Sequence, residues 1–356
     1  MMQLMMPLIC SSPSSPSRPR LHGCKGGGRD GAVLLGVYRK TGNVFARSML
    51  RVLRHGSKES EREYDLTDRP NFDVDSPCTF LRETRARGAG NALRWDLGSA
   101  NVTLLGTLAA AGEPFRLIDF IRAPSSIVVS DYHFCRSGAE VWMRDGIGDN
   151  ISKRDKFSSR RDSTHAVLSG LVAKLREADG NNSLAHLLAA QIKAKASYQE
   201  LLLHLDMPSG VFVQAHVSRD QIVRMLANER ALAASSKELQ HSVLRVVTDE
   251  LFANLEVTVR AILAHLGSAS CAVRTSGEDL VQQTLKATMA SKNSLHVTKG
   301  KHNTTALFEV LRRVEWLQAA DAEFHALLVE NRSELANRGQ WPTIAPVYCA
   351  HRRHWR

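Results

Sequence analysis

From about residue 164 onward the apolar positions recur at helical spacing. Leu168, Leu171, Val172 and Leu175 share one face of a segment that stops at Asp179-Gly180. Leu184, Leu187, Leu188, Ile192, Leu201 and Leu205 mark the next, which ends before Pro208. A series at every fourth position, Leu239 through Val259 and on to Leu266, predicts one helix of nearly 30 residues closed by Gly267. Leu307, Leu311, Val314 and Leu317 start a last long helix that runs from Ala306 to about Asn337. Ser218-x-x-Gln221, Ser235-x-x-Glu238 and Thr275-x-x-Glu278 have the spacing of capping boxes, in which a side chain satisfies an amide left free at a helix start. Helices joined by short loops predict an antiparallel-compatible bundle.

Upstream the texture differs. Short apolar runs at 102–108, Phe115–Ile121, Ile127–Val129 and Glu140–Met143 are punctuated by Gly106, Gly112, Pro114, Pro124, Gly138 and Gly146, the pattern of strands between turns. The predicted fold class is therefore a helix-dominated α+β protein, with a small β-rich N-terminal unit followed by an α-helical bundle. The predicted organisation is a disordered basic leader over 1–58, a small β-rich or α+β unit over 59–152, a basic linker over 153–162, the bundle over 163–340 and a basic tail over 341–356.

Charge changes the picture at the front. Residues 1–58 hold ten Lys or Arg against one acid, a net of +9, whereas 59–356 carries only +2 of the total of +11. A whole-chain pI near 9.6 is thus weak evidence for a nucleic-acid binder. The leader is Arg-rich, Ser-rich and poor in acids, with its first Arg at Arg18 behind the apolar run Met1–Ile9. That order argues against a secretory signal and fits an organelle transit peptide, mitochondrial rather than plastid, with a cytoplasmic tail as the alternative. No stretch reaches 18 apolar residues, so no membrane-spanning segment is predicted. The six cysteines are scattered without a CxxC pair, which speaks against a disulfide framework.

Candidate chemistry is sparse. Asp131, His133 and Cys135 alternate, so on a strand they share one face, where acid, imidazole and thiol together can ligate a metal or activate a nucleophile. They are the candidate enzyme site, set against the plainer reading of half-buried packing residues. Glu238 and His241 have the Glu-x-x-His spacing of di-iron bundles, but no second such motif accompanies them. No metal and no cofactor is predicted. Lys153, Arg154, Lys156, Arg160 and Arg161 in the linker, with Arg352, Arg353, Trp355 and Arg356 in the tail, are the candidate RNA contacts, offering cations for phosphates and an aromatic ring for a base. The leading expectation is a non-catalytic subunit or assembly factor of an organellar complex, its partners other protein subunits and RNA, as in a mitochondrial ribosome. The alternatives are an enzyme around Asp131, His133 and Cys135, and a cytosolic helical scaffold.

Overall fold

The computed structural model describes residues 32–38, 40–54, 92–96, 102, 105–106, 109, 115–138, 141–144, 158–180, 182–266, 277–291 and 304–337. The chain is helix-dominated, with a small sheet on its N-terminal side and a helical region after it, as the hydrophobic pattern predicts. Four strands form that sheet: β1 (Ala32–Val37), β2 (Ala92–Asp96), β3 (Phe115–Ile121) and β4 (Val243–Val247). All are parallel, in the order β2-β1-β3-β4. A parallel strand covered on both faces reads as a nearly continuous apolar run. Ala-Val-Leu-Leu-Gly-Val, Phe-Arg-Leu-Ile-Asp-Phe-Ile and Val-Leu-Arg-Val-Val are such runs.

The period of two splits β1, β3 and β4 between two cores. Leu34, Leu117 and Ile121 face one, while Leu35, Val37, Ile118, Phe120 and Val246 face the other. The second core is closed by α1 (Asn43–Arg54), α10 (Leu255–Leu266) and α11 (Gly277–Ser291), through Phe45, Met49, Ile262 and Val281. The first and larger core is closed by α2 (Pro124–Arg136), α4 (Ser158–Ala178), α5 (Ser183–Lys193), α6 (Tyr198–His204), α7 (Met207–Ala233), α12 (Thr304–Leu311) and α13 (Glu315–Asn337). The short α3 (Val141–Arg144) and α8 (Lys237–His241) add Met143 and Leu239 to the first core, and α9 (Thr248–Ala253) adds Leu251 to the second. Among the described residues no helix is long and apolar enough to cross a membrane.

Several sequence expectations are corrected. Part of the expected leader is structure: β1 pairs with both β2 and β3, and α1 buries Phe45, Ala46, Met49 and Val52 against the sheet. The expected boundary between a β unit and a bundle is crossed by the sheet, because β4 comes from residue 243 onward. The basic linker is partly helical, since α4 starts at Ser158. Ile127–Val129 and Val141–Met143 are helical rather than extended: Pro124 opens α2, where its fixed φ suits the first turn and its missing amide costs nothing. The described positions of 102–108 are helical as well.

The expected helix over 239–266 is instead α8, β4, α9 and α10. Val243, Val246 and Val247 are β-branched and stand opposite Leu117, Phe120 and Ile121, so the ladder with β3 takes up their backbone groups. The segment 184–205 breaks at Lys195, which has φ 53, and restarts with a capping box at Ser197 and Glu200. Ser218 caps nothing, lying inside α7, and the cap of α8 is Ser236 rather than Ser235. The last helix divides at 312–314. Thr275 lies outside the described residues.

His265 of α10 shows what sealing the sheet costs. Its ring is partly buried beside Ser242, with Nε2 3.3 Å from the Ser242 carbonyl oxygen. Burial first, and the nearby Arg116 cation second, lower its pKa to about 4 from an ordinary 6.5. Between those values the unfolded chain holds a proton that the folded one does not. Stability contributed here is therefore complete above about pH 6.5 and lost as pH falls toward 4. The loss is on the order of 3 kcal/mol. Thermal melts of His265→Gln should show a shallower decline of Tm than wild type from neutral pH down to about pH 4; an unchanged decline would place the titrating group elsewhere.

Candidate functional site

Among the described residues, Asp131, His133 and Cys135 are not gathered at one point. Asp131, His133 and Cys135 lie on α2, a helix, so the period-two face is lost. Asp131 and Cys135 are one turn apart, with Cys135 Sγ 3.8 Å from Asp131 Oδ1, while His133 points away from them. The other carboxylate oxygen accepts from Gln214 Nε2 at 3.0 Å and from the Ser218 hydroxyl at 3.2 Å. Gln214 Nε2 also donates to Ser218 Oγ, and Gln214 Oε1 accepts from the Tyr198 hydroxyl, both at 3.0 Å. Asp131, Gln214, Ser218 and Tyr198 are all buried. This is a closed polar network pinning α2 to α6 and α7, with its acceptors spent on internal donors. Glu238 and His241 sit on α8, where the Glu238 carboxyl is lowered by hydrogen bonds at the helix start. Among the described residues no group of three or more His, Cys, Asp or Glu could hold a metal ion.

Of the candidate RNA contacts, Arg160 and Arg161 fall in the first turn of α4. Lys153, Arg154, Lys156, Arg352, Arg353, Trp355 and Arg356 lie outside the described residues.

The topology points elsewhere. From β1 the chain moves to one side to make β2, then returns to the other side of β1 to make β3 and later β4. Where strand order reverses, the loops leaving the carboxyl ends of β1 and β3 diverge, and in open parallel sheets that crevice is where ligands bind. The two loops are 38–42 and 122–123.

The β1–α1 loop is built for a tight approach. Thr41 is fully buried, and its hydroxyl accepts from the Tyr38 amide at 2.7 Å while donating to the Tyr38 carbonyl at 2.9 Å. The Thr41 amide also donates to that carbonyl. Lys40 is thereby held at φ 66, a left-handed conformation that a residue with a Cβ adopts only when its surroundings impose it. Gly42 follows at φ 104, and a Cβ there would approach Phe120 Cδ1 to 3.2 Å, so backbone angle and space both require glycine. The chain then enters α1, whose first turn leaves backbone amides without intrahelical acceptors and contains no acidic residue. Alternating backbone conformations that end at a helix start present amides and a positive dipole end to an anion.

One cation belongs to this loop and a second touches it. The Lys40 ammonium lies over the Phe134 ring of α2, 2.8 Å from its centroid. Arg122, the first residue after β3, donates from Nη1 to the Lys40 carbonyl at 3.3 Å and from Nε and Nη2 to Asp249 Oδ1 at 2.9 and 2.8 Å. Asp249 belongs to the first turn of α9, immediately after β4. One guanidinium thus ties together the carboxyl ends of β1, β3 and β4. The Arg122 side chain is 21% exposed and Asp249 41%, so the ion pair is partly hydrated and an incoming anion can compete for the guanidinium.

Sequence reading missed Lys40, Thr41, Gly42 and Arg122. The usable signal was Lys-Thr-Gly directly between an apolar six-residue run and an amphipathic stretch, with an Arg closing the next apolar run. Compared with family models, with curated proteins and with solved structures, the chain matches none.

Proposed function

We propose that the β1–α1 loop and Arg122 bind the anionic groups of a nucleotide, and that the protein is a transferase moving a sulfuryl group from such a donor to an acceptor hydroxyl. The observation that carries this reading is the left-handed β1–α1 loop at the β1/β3 crevice, with the Arg122 guanidinium hydrogen-bonded to its backbone. A nucleotide's negative groups need fixed donors and cations held in place before the ligand arrives, and this crevice supplies both.

The donor set favours sulfuryl over phosphoryl transfer. In a magnesium-nucleotide loop the hydroxyl after the lysine faces the metal, and an acid at a neighbouring strand end supports it. Here the Thr41 hydroxyl is turned inward onto Tyr38, and Asp249 is engaged with Arg122. Neutralisation therefore falls to Lys40, joined by Arg122 where the incoming anion displaces Asp249 from it. A sulfuryl group carries less charge than a phosphoryl group, so two side-chain cations match it well. In the transfer, an acceptor oxygen bonds to sulfur, the bond from sulfur to the nucleotide oxygen breaks, and the acceptor proton leaves to solvent or a base. Lys40 then faces the negative charge growing on the departing nucleotide.

Calorimetric titration with adenosine 3′,5′-bisphosphate, without divalent cations, tests the reading. Binding should be seen, and weakened about 10–100-fold by Lys40→Ala or Arg122→Ala, the range for losing a hydrogen bond to a charged group. No binding, or binding that tolerates both substitutions, would remove the proposal. Binding only of magnesium-ATP would redirect it to phosphoryl transfer. The competing proposal, a non-catalytic organellar subunit touching RNA, would gain from salt-sensitive RNA binding in a chain that ignores the nucleotide.

A further inference from the structure

The geometry points to a buried proton-binding site, in which Asp119 and Glu229 share one proton beside Arg245 and so lock α7 to the sheet. Alternation along β3 turns Asp119 to the same side as Leu117 and Ile121, the face that α7 covers. Register places Asp119 opposite Arg245 of β4 on one side and Gly36 of β1 on the other. Arg245 Nε donates to Glu229 Oε2 of α7 at 2.6 Å. Asp119 has no exposure and Glu229 has 2%.

Two carboxylates and one guanidinium in this space would leave a net charge of −1 with no water to solvate it, a state that costs several kcal/mol. Hydrogen bonding gives a second, independent sign. Both oxygens of Asp119 and Oε1 of Glu229 are buried and meet no donor. One proton removes the excess charge and eases the hydrogen-bond deficit: the cluster becomes neutral, and the Asp119 hydroxyl donates to Glu229. Burial first, then repulsion from Glu229 and the hydrogen bond to it, raise the Asp119 pKa well above the usual carboxylate range, with Arg245 opposing. The charged groups facing Asp119 are thus Glu229 from α7 and Arg245 from β4, while its neighbour on β1 is the uncharged Gly36.

The site also reaches the β1–α1 loop. Asn228, next to Glu229, donates from Nδ2 to the Tyr38 hydroxyl at 3.0 Å, and Tyr38 carries the turn closed by Thr41. Whether the proton tunes anion affinity rests on the proposed function; the proton site itself does not.

An acid with a raised folded pKa contributes stability that is complete below its unfolded value and lost as pH rises through the folded one. This trend is opposite in sign to that of His265, so each is read from its own variant's difference curve. Infrared spectroscopy of the wild-type protein at neutral pH should show the carbonyl band of a protonated, buried carboxylic acid, and Asp119→Asn should lack it. The amide side chain copies the shape of the protonated acid, so the Asp119→Asn protein should lose less Tm than wild type between mildly acidic and alkaline pH. A wild-type spectrum without the band, a variant that retains it, or parallel Tm curves would each overturn the assignment. The wild-type spectrum decides the matter even where the variant fails to fold. Loss of nucleotide binding with the band intact would instead count against the proposed function alone.

Discussion

A chain beginning at Glu59 should not fold. Its circular dichroism should show no cooperative thermal transition, whereas the full chain should melt in one. The reason is what such a cut removes. Residues before 59 supply β1, which has a partner strand on each side, and α1, which covers the second core. Leu34, Leu35, Val37, Tyr38, Phe45, Met49 and Val52 are all essentially buried. Each contributes about 1.5–3 kcal/mol by burial. Their sum is comparable to the whole stability of a domain, about 5–15 kcal/mol. Loss of β1 also strips β2 and β3 of their common neighbour, leaving backbone donors and acceptors of a central position unpaired. A cooperative melt near the full-length Tm from the chain that starts at Glu59 would show β1 to be dispensable. By the same logic, any presequence cleavage compatible with this fold has to fall before Ala32.

Why does that segment look like a leader? Its +9 charge is a property of composition, and composition says nothing about which six residues between the cations pair with a sheet. Ala32–Val37 is too short to show a period, and a doubly covered strand has none to show. β3 is legible because Phe115–Ile121 stands between Pro114 and Arg122 and holds five apolar residues in seven. The helices over 164–178 and from 306 onward are legible because each has a polar face long enough to set a phase. β4 hides because Leu239, Val243, Val247 and Leu251 are spaced by four, a multiple of two as well, so the same residues satisfy a helical stripe and every second position of a strand. What decides between them is a partner far off in the chain, Phe115–Ile121, which no local pattern contains. The crevice is illegible for a related reason. Lys40 and Arg122 are 82 residues apart and meet only because β1 and β3 are neighbours.

Asp131 carries the second large prediction, and its outcome separates chemistry from architecture. Asp131→Ala removes the acceptor that serves both Gln214 Nε2 and the Ser218 hydroxyl. Both donors are buried among α2, α6 and α7, where water cannot replace the lost partner. At about 1–3 kcal/mol for each unsatisfied donor, the cost is on the order of 4 kcal/mol. Denaturant titration should show the loss as a lower midpoint with an unchanged slope. Asp131→Asn keeps one carbonyl oxygen for the same two donors and should cost markedly less. Were Asp131 part of a thiol or metal centre, as its spacing with His133 and Cys135 suggests on paper, the order of effects would reverse. Stability would then be nearly indifferent to Asp131→Ala, since an exposed reactive carboxylate is not held by internal donors. The network also explains why an acid sits in the middle of a helix whose neighbours are Ile127, Val128, Tyr132 and Phe134. A single acceptor with two oxygens meets Gln214 and Ser218 on one side and Cys135 on the other, fixing the azimuth of α2, the helix whose Phe134 ring receives Lys40. Destabilising that contact should therefore blunt the proposed anion site from a distance; if the chain binds a nucleotide there, Asp131→Asn should bind it more nearly like wild type than Asp131→Ala.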